Sequence, residues 1–123
     1  MESLRKNDDF RNCYRRGKSY ANRLLVLYVC ENDRETNRIG ISVSKKVGNS
    51  VIRHHVKRLI REGYRLHENM FNNGLDIAVV ARMQAASAGY HEIESALLHL
   101  MKISGNIRKR KSEYDEKDTS GND

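Results

Sequence analysis

Apolar positions change their period along this chain, and each change marks an element. Phe10, Cys13 and Tyr14 recur at i, i+3 and i+4, the spacing of one helical face, with Asn7, Asp8 and Asp9 as candidate caps and Gly17 as the stop. Residues 24–30 are an apolar run of Leu, Val, Tyr and Cys too short for a helix, so they read as a strand with apolar groups on both faces. Ile39, Ile41 and Val43 then alternate with Gly40, Ser42 and Ser44, which predicts a strand with one greasy and one small, polar face. The polar stretch between the two strands, residues 31–37, reads as a hairpin loop.

Asn49 or Ser50 can cap a helix running to about residue 66. At 100° per residue, Ile52, Val56, Leu59, Ile60, Gly63 and Leu66 fall on one side of it, and Arg53, His54, Lys57, Arg58, Arg61 and Arg65 on the other. Asn72, Asn73 and Gly74 form a turn, LDIAVVA (residues 75–81) reads as a buried strand, and a last helix points Ile93, Leu97, Leu100 and Met101 inward. The predicted order is α-β-β-α-β-α, an α+β fold. Residues 1–103 read as one domain, and residues 104–123 as a polar, mixed-charge tail expected to be disordered.

Charge sharpens this picture. The 123 residues carry a formal charge of +7 and a pI near 9.6, with 38% apolar and 7% aromatic residues, which favours a polyanionic partner. Residues 45–65 hold seven of the Lys and Arg against one acid, Glu62. A solvated helix face ordinarily interleaves both signs at i,i+4, whereas this one repels itself, so nucleic acid is the expected partner. Zinc-finger, basic-zipper and helix-turn-helix spacings are missing, which favours RNA over DNA. No apolar run has the length of a signal peptide or a membrane span, so a soluble cytoplasmic protein with no membrane partner is expected. Cys13 and Cys30 lack Cys-x-x-Cys spacing and read as small hydrophobes rather than a disulfide.

The segment SVSKKVGNSVIRHHVKRLIRE (residues 42–62) resembles the most diagnostic stretch of the bacterial ribonuclease P protein family, in which a Ser-Val-Ser-Lys-Lys-x-Gly-Asn strand exit leads into a basic helix. Residues 7–29 resemble that family's opening helix and first long strand, and DIAVVAR (residues 76–82) its later strand. The resemblance spans about residues 4–103. It implies a two-layer α/β sandwich similar to domain four of elongation factor G, with a left-handed βαβ crossover that general rules for parallel strands would not predict. It also implies an accessory role. Family members hold no catalytic residues and assist a catalytic RNA subunit, which binds the magnesium and removes the 5′ leader of precursor tRNA.

By the same resemblance, Lys45, Lys46, Asn49, Arg53, His54, Lys57, Arg58 and Arg61 meet the RNA subunit, and Phe10, Tyr14 and Tyr28 bind the single-stranded leader. Elementary chemistry agrees: Lys and Arg neutralise phosphates, and an unpaired base stacks on an exposed ring. A core role for the aromatic pair is the competing reading. The family's Arg-Asn-Arg is Arg53-His54-His55 here, with one permanent charge fewer, and the wheel puts His54 within the cationic face and His55 at its border. A Pro-containing turn of the family is Met83-Gln84 here.

Two rival readings compete. A protein-only nuclease would use His54 or His55, but adjacent residues on a helix point about 100° apart and do not converge on one phosphate. A ribosome-associated or RNA-chaperone protein on the same scaffold is opposed only by the detailed match of residues 42–62.

Overall fold

A strand that is apolar on both faces belongs between two neighbours, with helices covering it. In a computed structural model, which describes residues 1–4 and 6–108, LDIAVVA occupies that position. The elements in chain order are β1 (Glu2–Ser3), α1 (Asn7–Arg16), β2 (Lys18–Ala21), β3 (Leu25–Glu31), β4 (Arg38–Ser42), α2 (Ser50–His67), β5 (Leu75–Ala81) and α3 (Tyr90–Ile103). The sheet order is β1-β4-β5-β3-β2, with β5 parallel to β4 and antiparallel to β3.

This order corrects the hairpin expected of β3 and β4, which do not pair. Residues 76–80 of β5 have partners on both sides, Cys30 to Val26 along β3 and Arg38 to Ser42 along β4. A β3–β4 hairpin would have left the most apolar strand at an edge with one row of its backbone groups unpaired. The connecting loop instead straddles the start of β5: Asn32 N donates to Gly74 O (2.9 Å), and Leu75 N donates to Asn37 Oδ1 (2.8 Å). The positive φ of Gly74 (80°) lets that loop close, because a side chain there would press on Arg34 O.

Alternation sorts the strand residues between two faces. Leu25, Leu27, Ile39, Ile77 and Val79 pack with Val56, Ile60, Ile93, Leu97 and Leu100 of α2 and α3 in the main core. That is the expected sandwich of sheet and helices. On the other face stands α1, burying Cys13 against Leu4 and Ala78. The inward residues expected of α3 are all fully buried. In α2 the prediction fails at Leu66, which is 54% exposed, while Tyr64 is buried. The chain returning from α2 passes on the Tyr64 side, where Phe71 lies 5.4 Å from its ring, and leaves Leu66 uncovered.

Three further differences are local. The N-cap of α1 is Lys6 with no side-chain bond, and Asp8 and Asp9 sit inside the first turn, where they favour the helix dipole. Strand β2 escapes sequence reading because it is a four-residue edge strand without apolar alternation. Ordered packing reaches Arg108, since Ile107 bridges Phe71 and Arg108 N donates to Met70 O (2.6 Å). The rest of the expected tail, residues 109–123, lies outside the described residues. Among the described residues, no helix is long and apolar enough to cross a membrane.

Asp76 is the one buried charged side chain among the described residues, at 3% exposure. Arg38 grips it with Nε on Oδ1 (2.8 Å) and Nη2 on Oδ2 (2.6 Å), and Asn32 Nδ2 adds a third bond at 3.0 Å. Burial pulls the Asp76 pKa up, but the bonds from Arg38 and Asn32 outweigh it and hold the carboxyl below the usual carboxylate range. The folded pKa therefore lies below the unfolded one, so the pair's contribution is fully present above about pH 4 and is lost as pH falls below it. Asp76→Asn is expected to cost about 3 kcal/mol at pH 7, the low end for breaking a buried pair because Arg38 is partly exposed. Denaturant unfolding at pH 7 and in the acid range checks this: the variant's stability should fall less steeply with acid than that of the natural protein.

Candidate nucleic-acid interface

The face of the sheet that α1 covers carries Arg38, Gly40 and Ser42 from β4, with Tyr28 and Cys30 from β3. Gly40 explains the small face read in the β4 sequence: a Cβ there would run into the Phe10 ring and come within 2.9 Å of Leu4 Cβ. Phe10 therefore lies directly against the β4 backbone. Tyr14, one helical turn on, lies 6.2 Å from Phe10 and meets Tyr28 edge-on at 4.8 Å. The three predicted aromatics thus form one cluster, from half-buried Phe10 and Tyr28 to Tyr14 at 37% exposure. Partial burial pushes the Tyr14 phenol up, with Ser42 opposing the shift, so near neutral pH it remains a hydrogen-bond donor.

Beneath the rings, Cys13 is fully buried, and its Sγ lies 3.5 Å from both Tyr28 O and Asp76 O. Burial, first, and then the neighbouring Cys30 push this thiol up to about 12. It is an inert packing group, as the sequence reading held. Both cysteines are free thiols, although Cys30 is only half-buried.

On the other side of the sheet, α2 starts at Asn49, whose side chain accepts from Ile52 N (3.0 Å). That acceptor is committed to capping. Lys45 and Lys46 stand exposed on the turn before it, and His54, Arg58 and Arg61 are exposed along the outer face of the helix. Arg53 and Lys57 are half-buried on the flank, and Arg53 Nε donates to Gly48 O (3.2 Å). Arg65 departs from the set because it pairs with Glu62 at 2.7 Å. Among the described residues, Lys45, Lys46, Arg53, Lys57, Arg58 and Arg61 have no carboxylate partner.

One groove joins the two surfaces. Its walls include Phe10, Arg11 and Tyr14 from α1, Ser42 at the end of β4, and Lys57 from α2. Cationic helix and aromatic cluster are therefore one continuous surface, with Lys57 at the seam. Sequence reading placed Lys57 on the helix but missed its position beside the rings. It also missed Arg11, whose only signal is its place on the same helix as Phe10 and Tyr14.

The histidines offer little to the nuclease reading. His67 lies 2.7 Å and His91 3.5 Å from Glu94, at the α2–α3 junction, while His54 and His55 are exposed with no hydrogen-bond partner among the described residues. Among the described residues, no group of three or more His, Cys, Asp or Glu gathers to hold a metal.

If the Gly40 notch seats Phe10, then Gly40→Ala is expected to displace the ring at a cost of about 1–3 kcal/mol, the usual range for overpacking. Phe10→Ala is expected to relieve that strain, so the double variant loses less than the sum of the single losses. Denaturant unfolding of the three variants checks the cycle.

Known proteins share this chain's sequence and fold. The family model for ribonuclease P matches residues 1–105. The ribonuclease P protein component of Lachnoclostridium phytofermentans is 57% identical over 102 residues, 83% of this chain and 88% of the relative. The solved ribonuclease P protein of Staphylococcus aureus superposes with a TM-score of 0.81 at 39% identity, over 88% of this chain and 99% of that one. The Thermotoga maritima ribonuclease P protein gives 0.77 at 30% identity, over 84% and 97%. With the family model spanning nearly every described residue and the fold shared with its solved members, the chain belongs to the ribonuclease P protein family.

Proposed function

We propose that this protein is the accessory subunit of a ribonucleoprotein endoribonuclease: the outer face of α2 binds the catalytic RNA, and the groove beside α1 holds the 5′ leader of precursor tRNA. The observation that carries the reading is the continuity of the two surfaces at Lys57. A row of cations without carboxylate partners among the described residues suits a phosphate backbone, whose counterions it releases on binding. Three clustered rings with one exposed edge suit an unpaired strand, whose bases stack without regard to sequence. Lys57 beside the rings suits the phosphate between two stacked bases. In this reading magnesium belongs to the RNA subunit, and the protein contributes affinity and placement.

Each of Lys57→Ala, Arg58→Ala and Arg61→Ala is expected to weaken binding to the RNA subunit and reduce the slope of log affinity against log salt by about 1. Filter binding across a salt series measures it, and an unchanged slope in the triple variant would reduce the cationic face to solvated surface. The protein alone is expected to leave precursor tRNA intact, with cleavage appearing once the RNA subunit is added at limiting magnesium. Magnesium-dependent cutting by RNA-free protein that disappears in His54→Ala or His55→Ala would overturn the accessory role. Recovery of ribosomal RNA alone with the protein from its own cells would favour the chaperone reading instead.

A further inference from the structure

The groove's geometry depends on where α1 sits over the sheet, and few contacts decide that. Strands β1 and β2 anchor the chain before and after the helix, through Leu4 N on Ile39 O (2.9 Å) and the β2–β3 ladder. Rotation and height of the helix are left to its side chains. Underneath it, Cys13 rests on Ala78, a small contact surface, and its thiol is a weak donor. Arg11 and Arg15 spend their polar contacts within the helix, on Asp8 and Asn12. Asp9 is different. Its Oδ2 lies 3.6 Å from Arg38 Nη1, the one ion pair between α1 and the sheet among the described residues.

Arg38 is an unusually stiff post for such a contact. Its planar fork is already locked on Asp76 by two bonds, so the remaining nitrogen is presented in a fixed direction. Asp9 immediately precedes Phe10, and Gly40, which receives the Phe10 ring, lies two residues from Arg38 on the same face of β4. Ser42, two residues further on, shares the groove with Tyr14. The outer face of β4 is therefore a graded seat for α1: an ion pair, then a notch, then a hydroxyl beside the phenol.

We infer that Arg38 is a positioning residue of the groove: held by Asp76, it fixes Asp9 and thereby the placement of Phe10 and Tyr14 toward an unpaired base. The inference rests on the leader-binding reading above. It makes a claim whose sign is opposite to that of simple electrostatics. Removing the Asp9 charge raises the local positive potential and on that ground alone would strengthen RNA binding. Loss of positioning weakens leader binding.

The test uses the full-length protein assembled with its RNA subunit and compares affinity for precursor tRNA with that for mature tRNA. Asp9→Asn is expected to lower the precursor-to-mature ratio roughly two- to fivefold, the size of a partly exposed ion pair, with affinity for the RNA subunit unchanged. Asp8→Asn, which removes a charge from the same turn without touching Arg38, is expected not to lower it. In a Tyr14→Ala background Asp9→Asn is expected to keep only the smaller part of its effect that passes through half-buried Phe10, since Tyr14 is the more exposed ring. An unchanged or higher ratio in Asp9→Asn, while Tyr14→Ala still lowers it, would overturn the positioning role and leave leader binding standing. A full Asp9→Asn loss in the Tyr14→Ala background would overturn it too. No effect of Tyr14→Ala would overturn leader binding, and the positioning role with it.

Discussion

A carboxylate taken out of water stays ionised only where hydrogen bonds and an opposite charge replace its hydration, and Asp76 obtains both from two different parts of the chain. Arg38 reaches it from β4 and Asn32 from the loop after β3. The charge therefore specifies which strands flank β5, over and above what it contributes to stability. It also sits on the face away from the main core, where Arg38 can still reach Asp9 of α1. Sheet order, loop path and helix placement converge on a single ion pair.

The two faces of the sheet do different work. The face under α2 and α3 is filled with apolar side chains packed without interruption, so α2 can carry on its outer side a set of like charges whose mutual repulsion destabilises the free protein. A long helix buried along Val56, Leu59, Ile60, Gly63 and Tyr64 tolerates that repulsion. The face under α1 is only half covered, and its small residues let one ring lie against the sheet while another stays open. Stability is concentrated on one side and accessible chemistry on the other, and the groove wall at Lys57 connects them.

Elements with strong periodicity were legible from the residues alone. The bounds of β5 and the inward set of α3 follow from local pattern, because each records burial along one segment, whereas the cap of α2 was narrowed only to Asn49 or Ser50 and the structure selects Asn49. Pairing between segments was not legible in the same way. β3 and β4 are joined by a short polar loop and look like a hairpin, and only the demand of β5 for two neighbours separates them. For the same reason the cationic face was visible in residues 45–65, whereas its junction with the aromatics depends on where α1 lies and leaves no trace in spacing. Leu66 is exposed and Tyr64 buried because a helix end is covered by whatever chain returns past it.

The central claim is that one continuous surface holds two different RNAs, the catalytic subunit on α2 and the substrate leader beside α1. Site-specific photo-cross-linking in the assembled complex tests it most directly, with a benzophenone side chain at position 58 or position 14. The account predicts cross-links from position 58 to the RNA subunit and from position 14 to leader nucleotides, the latter absent with mature tRNA. Cross-links from position 14 that go to the RNA subunit and do not change when the leader is removed would contradict it.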